Sequence, residues 1–228
     1  MKAINNILSL LLLVAAAIAI HGCSTAEASR MPIMVSPYYN SDPLTINVGE
    51  LSDKLMSDSP TDLVKLANSI NANDLNIPTE ALYVLAIRLF DLNEKIPAAY
   101  WFYNAQFRTK VLNGLKAQNP EYFSNGIGDS AYDKLMAYNS FSELAGKYFN
   151  EDLAQNPDGW VDIIDLVQKD MTKLDIRGFV NDFPRLADKI VSDHPEVVQK
   201  VSEGLEVIKE VVQENMDEIV RQTHKLKK

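Results

Sequence analysis

Apolar side chains recur every three or four residues through most of the chain after residue 58, which is the spacing of an amphipathic α-helix. The first such segment opens with Ser59-Pro60-Thr61-Asp62, which places a capping residue, a first-turn proline and an early acid in the order typical of a helix start. Strand-like alternation and hairpin dipeptides are nearly absent. We therefore predict an all-α domain over residues 58–193, built as helical hairpins in a repeat-like bundle.

Further helix starts within this domain are indicated by prolines and capping residues. They are predicted at Pro78, near Pro97, at Asp129 or Ser130, at Ser140 (which has capping-box spacing to Glu143) and at Pro157. The glycine-rich stretch 124–130 lacks the lysine of a phosphate-binding loop. We interpret it as a connection between helices.

A long C-terminal helix is predicted from His194 to about Lys225, because beyond Pro195 the segment holds no proline and only one glycine. Its apolar residues alternate spacings of three and four, and Asn215 is the one polar residue in this seam. We expect the helix, in segment 194–228, to pack on the domain, with a dimer seam as the alternative. A buried Asn215 would select the register, and the protein is expected to be a monomer or a weak dimer.

The first 22 residues have the three-part layout of a secretion signal. Lys2 is followed by an uncharged apolar run from Ile7 to Ile20, and the segment ends at Gly22-Cys23. The apolar run of roughly 14 residues is shorter than the span of about 20 that a transmembrane helix needs. A cleaved signal peptide is therefore favoured over a membrane-spanning anchor, and an ordinary signal with a chance cysteine is the other alternative.

The sequence Ile20-His21-Gly22-Cys23 resembles the lipobox of bacterial lipoproteins, although His21 departs from the small or apolar residue usual at its position. The resemblance implies cleavage before Cys23 and acylation of its sulfur and new amino terminus. No cofactor other than this covalent lipid is expected. Ser24 stands where Asp would favour the inner membrane in enterobacterial lipoproteins. The resemblance therefore implies an outer-membrane lipoprotein that faces the periplasm.

Residues 23–57 are interpreted as the acylated cysteine and a tether. They hold Pro32, Pro37 and Pro43 among Ser, Asn and short apolar runs, a composition typical of an extended spacer. The stretch 31–39 is more apolar than a spacer requires, so part of it is expected to pack on the domain.

The chain is acidic, with a formal net charge of −9 at pH 7. Removing residues 1–22 takes away one Lys and no acid, which changes the charge to −10. An acidic surface is a poor match for nucleic-acid phosphates and is equally poorly suited to lying on anionic lipid. We therefore expect no nucleic-acid partner, and membrane contact through the lipid anchor.

Candidates for catalysis or metal binding are few. With Cys23 acylated no thiol remains, and His194 and His224 have no partner at metal-ligand spacing. Motifs of serine hydrolases, phosphate-binding loops and zinc proteases are absent. Two acidic groups are interpreted as solvated helix faces rather than as acid–base pairs or calcium ligands. These are Asp162, Asp165 and Asp170, and Glu203, Glu206 and Glu210. We predict a protein that is not an enzyme and holds no metal.

The most specific stretch in the domain is 98–105, where Ala98, Trp101, Phe102 and Ala105 fit the pattern A-x-x-W-[FY]-x-x-A. One helix earlier, residues 81–86 fit A-x-x-x-L-[GA], with Ala where Gly is usual. Residues 81–105 thus resemble a single Sel-like repeat, a relative of the tetratricopeptide helix–turn–helix. The resemblance implies an antiparallel helix pair with Trp101 between this pair and its neighbour. The alternative is a helical hairpin that uses the same packing by chance.

Four consecutive aromatic residues, Tyr100 to Tyr103, point all round their helix and cannot all enter one core. Aromatic residues and Arg are favoured anchors in protein interfaces, so Tyr100, Trp101, Tyr103 and Arg108 are the candidate binding residues. The alternative is a helix enclosed on several sides by other helices.

These features together predict a membrane-tethered module that binds another protein. Lipoproteins with Sel-like helix pairs include immunity proteins against the lipase toxins of type VI secretion, so the resemblance implies a role in occluding a toxin. An accessory or scaffold subunit of an envelope assembly is the alternative, and an envelope hydrolase is a third possibility.

Overall fold

The structure describes residues 48, 51–72, 74–123, 130–181, 183–186, 190–219 and 221. The regular structure of these residues is helical. In this computed structural model the helices are α1 (Ser52–Leu55), α2 (Pro60–Ser69), α3 (Thr79–Asp91), α4 (Lys95–Gln118), α5 (Ser130–Leu153), α6 (Pro157–Met171) and α7 (Ile190–Glu214). Short 3₁₀ segments lie at Pro120–Tyr122, Ile176–Asn181 and Pro184–Leu186. These residues contain no β-strand, so the prediction of an all-α fold is confirmed. None of their helices combines the length and apolarity required to cross a membrane.

Side chains cap the first turns of α2 and α6. The Asp62 N–H donates to Ser59 Oγ at 3.3 Å, and Pro60 opens α2. The Gly159 N–H donates to Asn156 Oδ1 at 3.2 Å, and the proline after Asn156 opens α6. Because each cap joins residues only three apart, the local sequence is enough to set it. The helix starts predicted at these two positions are confirmed.

α4 is the central helix, since it packs against α2, α3, α5, α6 and α7. Its most extensive contact is with α3, from which a three-residue turn separates it. In this turn Asn93 has a φ of 66°, a left-handed conformation that Asn tolerates better than most residues. The Glu94 N–H then donates to Leu89 O at 2.8 Å. Residues 81–105 therefore lie in a helical hairpin, as predicted.

Aromatic rings from α3, α4 and α5 form the centre of the core. Phe102 stacks on Phe149 with ring centroids 4.3 Å apart, and Tyr83 stacks on Phe141 at 5.4 Å. A β-carbon at Gly146 of α5 would lie 3.5 Å from the end of the Phe102 ring, so this glycine sits against the ring. Offset and edge contacts of this kind stabilise a core beyond the area that they bury.

α5 runs without interruption from Ser130 to Leu153, so the helix start predicted at Ser140 is wrong. Ser140 Oγ donates to Met136 O at 2.9 Å. This is the bond that a serine inside a helix makes to the carbonyl one turn earlier. A capping-box spacing can therefore occur within a helix that continues through it.

The folded domain begins before residue 58. Leu55 of α1 is only 2% exposed, and Val48 and Leu51 pack partly against the same core. The last residues of the predicted tether thus belong to the domain. The predicted signal peptide, Cys23 and the rest of the tether up to residue 47 lie outside the described residues.

α7 differs from the predicted C-terminal helix at both ends. It begins at Ile190, before His194, and contains Pro195. It ends at Glu214, where Asn215 is an exposed turn whose Nδ2 donates to the carbonyl of Val211 at 2.8 Å. Residues 216–219 and 221 are helical again. Asn215 therefore does not select a register from within a buried seam, because this side chain bonds the preceding helical turn. The inner face of α7 packs on α4 and α6.

Candidate functional site

Three of the four predicted binding residues lie in the core. Trp101 and Tyr103 are each 3% exposed, and Arg108 is fully buried. Tyr100 is half-buried. The expectation of an exposed anchor cluster is corrected for Trp101, Tyr103 and Arg108, because α4 is enclosed by other helices on several sides. A helix enclosed by other helices is the alternative stated above for the four consecutive aromatic residues.

Two tyrosine hydroxyls of α4 bind the neighbouring helices. Tyr100 donates to Asp170 Oδ2 of α6 at 2.7 Å. Tyr103 donates to Asn150 Oδ1 of α5 at 3.1 Å and accepts a hydrogen bond from Trp160 Nε1 of α6 at 2.8 Å. Burial raises the pKa of both phenols above the ordinary tyrosine value, and the bond to Asp170 raises the pKa of Tyr100 further. Both phenols therefore stay neutral and connect helices.

Arg108 holds the connection between α2 and α3. Its Nη1 donates to Ile77 O at 2.7 Å, and its Nη2 donates to Ala72 O at 2.6 Å and to Asp74 O at 3.0 Å. Backbone carbonyls that face a buried side chain need donors, and a guanidinium supplies several in a fixed geometry. The chemical role of this residue is thus to satisfy and position a loop.

A buried carboxylate joins α3 to α5. Glu80, only 5% exposed, accepts a hydrogen bond at 2.7 Å from the Tyr138 hydroxyl, and Lys134 Nζ lies 3.9 Å from its other oxygen. Glu80 also lies in the first turn of α3, where the helix dipole favours negative charge. Sequence analysis did not single out this residue, since an acid early in a helix is usually exposed.

The outer surface of α6 and α7 is acidic. Lys209 Nζ lies 2.9 Å from Asp165 Oδ1 of α6 and 2.7 Å from Glu206 Oε1 of α7, so one cation holds two carboxylates. These two bonds raise the pKa of Lys209, which stays charged. Leu166 of α6 is 45% exposed beside Asp165. We call the following residues the acidic face: Asp162, Asp165, Leu166, Glu203, Glu206 and Glu210.

The predicted solvated faces are present, but one member lies apart. Asp162, Asp165, Glu203 and Glu210 are exposed, whereas Asp170 bonds the hydroxyl of Tyr100. Within the described ranges no three His, Cys, Asp or Glu side chains gather as metal ligands would. In this part of the chain the carboxylates thus act as surface charge and as hydrogen-bond acceptors.

An open groove of about 480 Å³ lies beside α1 and α2. Its hydroxyls are engaged with the backbone, since Ser69 donates to Leu66 O and Ser57 accepts from the Ser59 N–H. Its lining residues, which are Lys54, Ser57, Asp62, Lys65, Leu66 and Ser69, contain no histidine or cysteine.

The cysteine and the two histidines that follow it in the chain have no described side chains. Cys23 and His224 lie outside the described residues, and of His194 only the backbone, within α7, is described. Among the described residues, the acidic face of α6 and α7 is the candidate surface. Comparisons with protein-family models, with curated proteins and with solved structures found no match to this chain.

Proposed function

We propose that the protein is a non-catalytic lipoprotein of the bacterial outer membrane that binds another protein through its helical domain. The observation that carries this proposal is the signal-like segment that ends in Gly22-Cys23. Acylation of Cys23 would anchor the chain, and the tether would hold the domain on the periplasmic face. An acidic domain gains little from anionic lipid headgroups, so the acyl chains would supply the membrane contact.

Binding is favoured over catalysis by what the buried polar groups do. Tyr103, Arg108 and Glu80 each join two or more elements of the bundle through the bonds described above. Side chains that general acid–base chemistry would use are thereby engaged in holding helices together. The exposed acidic face remains as a surface that a basic partner would complement.

Two kinds of partner suit such a module. In the first, the domain occludes the entrance of a secreted lipase toxin, which is the role implied by the Sel-like resemblance of residues 81–105. In the second, the protein is an accessory subunit of an envelope assembly. The product of the neighbouring gene separates them, because a secreted lipase encoded there supports the immunity role and an envelope component supports the assembly role.

The lipid anchor is tested by replacing its acceptor. Cys23→Ser should abolish labelling by a palmitate analogue and move the protein from the membrane pellet to soluble or unprocessed material. Ser24→Ala is the matched control, since it alters the adjacent residue and keeps the acceptor sulfur. A wild-type protein that takes no lipid label, with unchanged membrane partition in Cys23→Ser, would refute the lipoprotein assignment.

The binding role is tested with the purified full-length protein. We expect it to form a stable complex with the product of the neighbouring gene, measured by co-purification and calorimetry. The same protein should show no turnover of esterase, phosphatase or glycan substrates. Turnover that survives purification and is lost on heat denaturation would contradict the non-catalytic assignment and support the hydrolase alternative.

A further inference from the structure

α7 carries a second apolar stripe that faces away from the core. Val207 is 56% exposed and Val211 is 51% exposed, and a β-carbon at Gly204 would meet no atom within 4 Å. These three positions are three and four residues apart, so they share one side of the helix. Leu205 and Val212 are buried on the inner side. The helix therefore has more apolar surface than the bundle covers.

Carboxylates without a salt bridge flank this stripe. Lys200 and Lys209 are the lysines of α7, and each forms its salt bridges with other carboxylates. Glu203, Glu210 and Glu214 are exposed, and within the described part of the chain no cation lies within salt-bridge distance of them. Among the described residues, the negative charge beside the valines is thus without a salt bridge.

The stripe has the dimensions of a helix-docking surface. Together with the charged residues at its two ends, from Lys200 to Glu214, it forms a surface about 21 Å long at 1.5 Å per residue, which matches a partner helix of about four turns. A docked helix presents anchors at intervals of three and four residues. Gly204 leaves room for close approach of a second backbone, because no side chain stands there.

We propose that the outer face of α7 binds a basic amphipathic helix of a partner protein. The partner's apolar residues would lie on Val207 and Val211, and its Lys or Arg side chains would pair with Glu203, Glu210 and Glu214. Charge complementarity selects this partner, since a second acidic copy of α7 or an anionic lipid surface would bring like charges together. The inference rests on the proposed binding function and names its surface and the chemistry of its partner.

The apolar part is tested with a fluorescent amphipathic peptide of leucine and lysine, about 15 residues long to match the stripe. Full-length protein should bind it in fluorescence anisotropy and should not bind a matched peptide of leucine and glutamate. Val207→Gln with Val211→Gln should weaken binding about tenfold or more, because each valine loses apolar contact area. Met56→Gln is the control, since Met56 is 76% exposed elsewhere on the surface. Equal affinity of the valine variant and the wild type would overturn the proposal.

The charged part is tested by neutralisation. Replacing Glu203, Glu210 and Glu214 by Gln should weaken peptide binding and flatten its dependence on salt concentration. The matched control replaces three exposed glutamates on other elements, which are Glu121, Glu143 and Glu151. Equal losses in the two triple variants would show general attraction to an acidic protein and would overturn the site.

The valine variant also separates this inference from the proposed function. A natural partner that binds wild type and Val207→Gln/Val211→Gln equally well would overturn the α7 site and leave the binding function standing. Loss of that partner in the valine variant, with its retention in Met56→Gln and an unchanged circular dichroism spectrum, would support both. An absence of lipid on Cys23 would overturn the membrane assignment and leave the peptide result unaffected.

Discussion

Arg108→Met removes the donor that holds the α2–α3 connection. The guanidinium donates to three backbone carbonyls, of Ala72, Asp74 and Ile77, at 2.6–3.0 Å. Methionine fills much of the volume of the arginine stem, so the change mainly removes polar contacts. The carbonyls that face this buried side chain then lose a charged donor.

The expected loss follows from those contacts. A hydrogen bond to a charged group contributes about 1.5–3 kcal/mol, and a buried acceptor left without a donor costs about 1–3 kcal/mol. The three bonds share one guanidinium and are not additive, so we expect a loss of about 3–5 kcal/mol in the free energy of unfolding, the usual cost of breaking a buried charged contact. Arg108→Lys keeps the charge but cannot reproduce two separate terminal nitrogens, and we expect an intermediate loss.

Urea denaturation followed by circular dichroism measures this loss, with an unchanged m-value as the check that both states are comparable. Arg177→Met is the matched control, because the Arg177 side chain is 70% exposed and pairs with Asp175 on the surface. It should change stability by no more than about 0.5 kcal/mol. A loss below about 1 kcal/mol for Arg108→Met would be smaller than the contribution of one hydrogen bond to a charged donor. That result would refute the role of Arg108 in holding the α2–α3 connection.

Three further predictions follow from packing and burial. Trp101→Ala should lower the free energy of unfolding by about 3–5 kcal/mol, because the indole is buried. An unchanged denaturation midpoint would contradict its core role. Gly204→Ala should raise stability by about 0.5–1 kcal/mol through helix propensity. Gly114→Ala should lower stability by about 1–3 kcal/mol, since the new β-carbon would lie 2.7 Å from Val197 Cγ1. Equal changes of the melting temperature in the two glycine variants would refute this contrast. Burial raises the pKa of Tyr103, so its contribution to stability is complete below the ordinary tyrosine pKa of about 10 and falls as pH rises above it. Urea titrations between pH 8 and 11 should show a smaller decline in Tyr103→Phe, and identical declines would refute the assignment.

Local signals in the sequence predicted most of the helices. The cap at Ser59 and the proline start at Pro157 depend on contacts within one helical turn, and both are present. The same kind of signal failed at Ser140, and the three-and-four spacing that included Asn215 in an apolar seam failed at that residue. A serine or asparagine side chain can bond the carbonyl one turn back as well as cap a start, so local spacing alone does not decide between the two.

Contacts between distant residues could not be predicted from one sequence. Arg108 lies 31 to 36 residues from the carbonyls that it binds, and nothing in its immediate neighbours indicates them. Likewise, Lys209 joins Asp165 to Glu206 because α6 and α7 pack together. The two acidic groups were visible in the sequence as separate helix faces, and their meeting at one surface is a consequence of tertiary packing.

The position of α4 changes which residues can report on binding. Substituting Trp101 or Arg108 perturbs the core, so any loss of a partner would follow from unfolding as readily as from a lost contact. Val207 and Val211 lie on the outer side of α7, while Leu205 and Val212 of the same helix maintain the packing. Substitutions at Val207 and Val211 therefore test the proposed binding surface without disturbing the packing of α7, whereas substitutions at Trp101 or Arg108 cannot separate folding from binding. If the acyl chains on Cys23 anchor the protein, as proposed, this acidic and apolar outer surface is not required for membrane attachment, and it stays available to a basic partner.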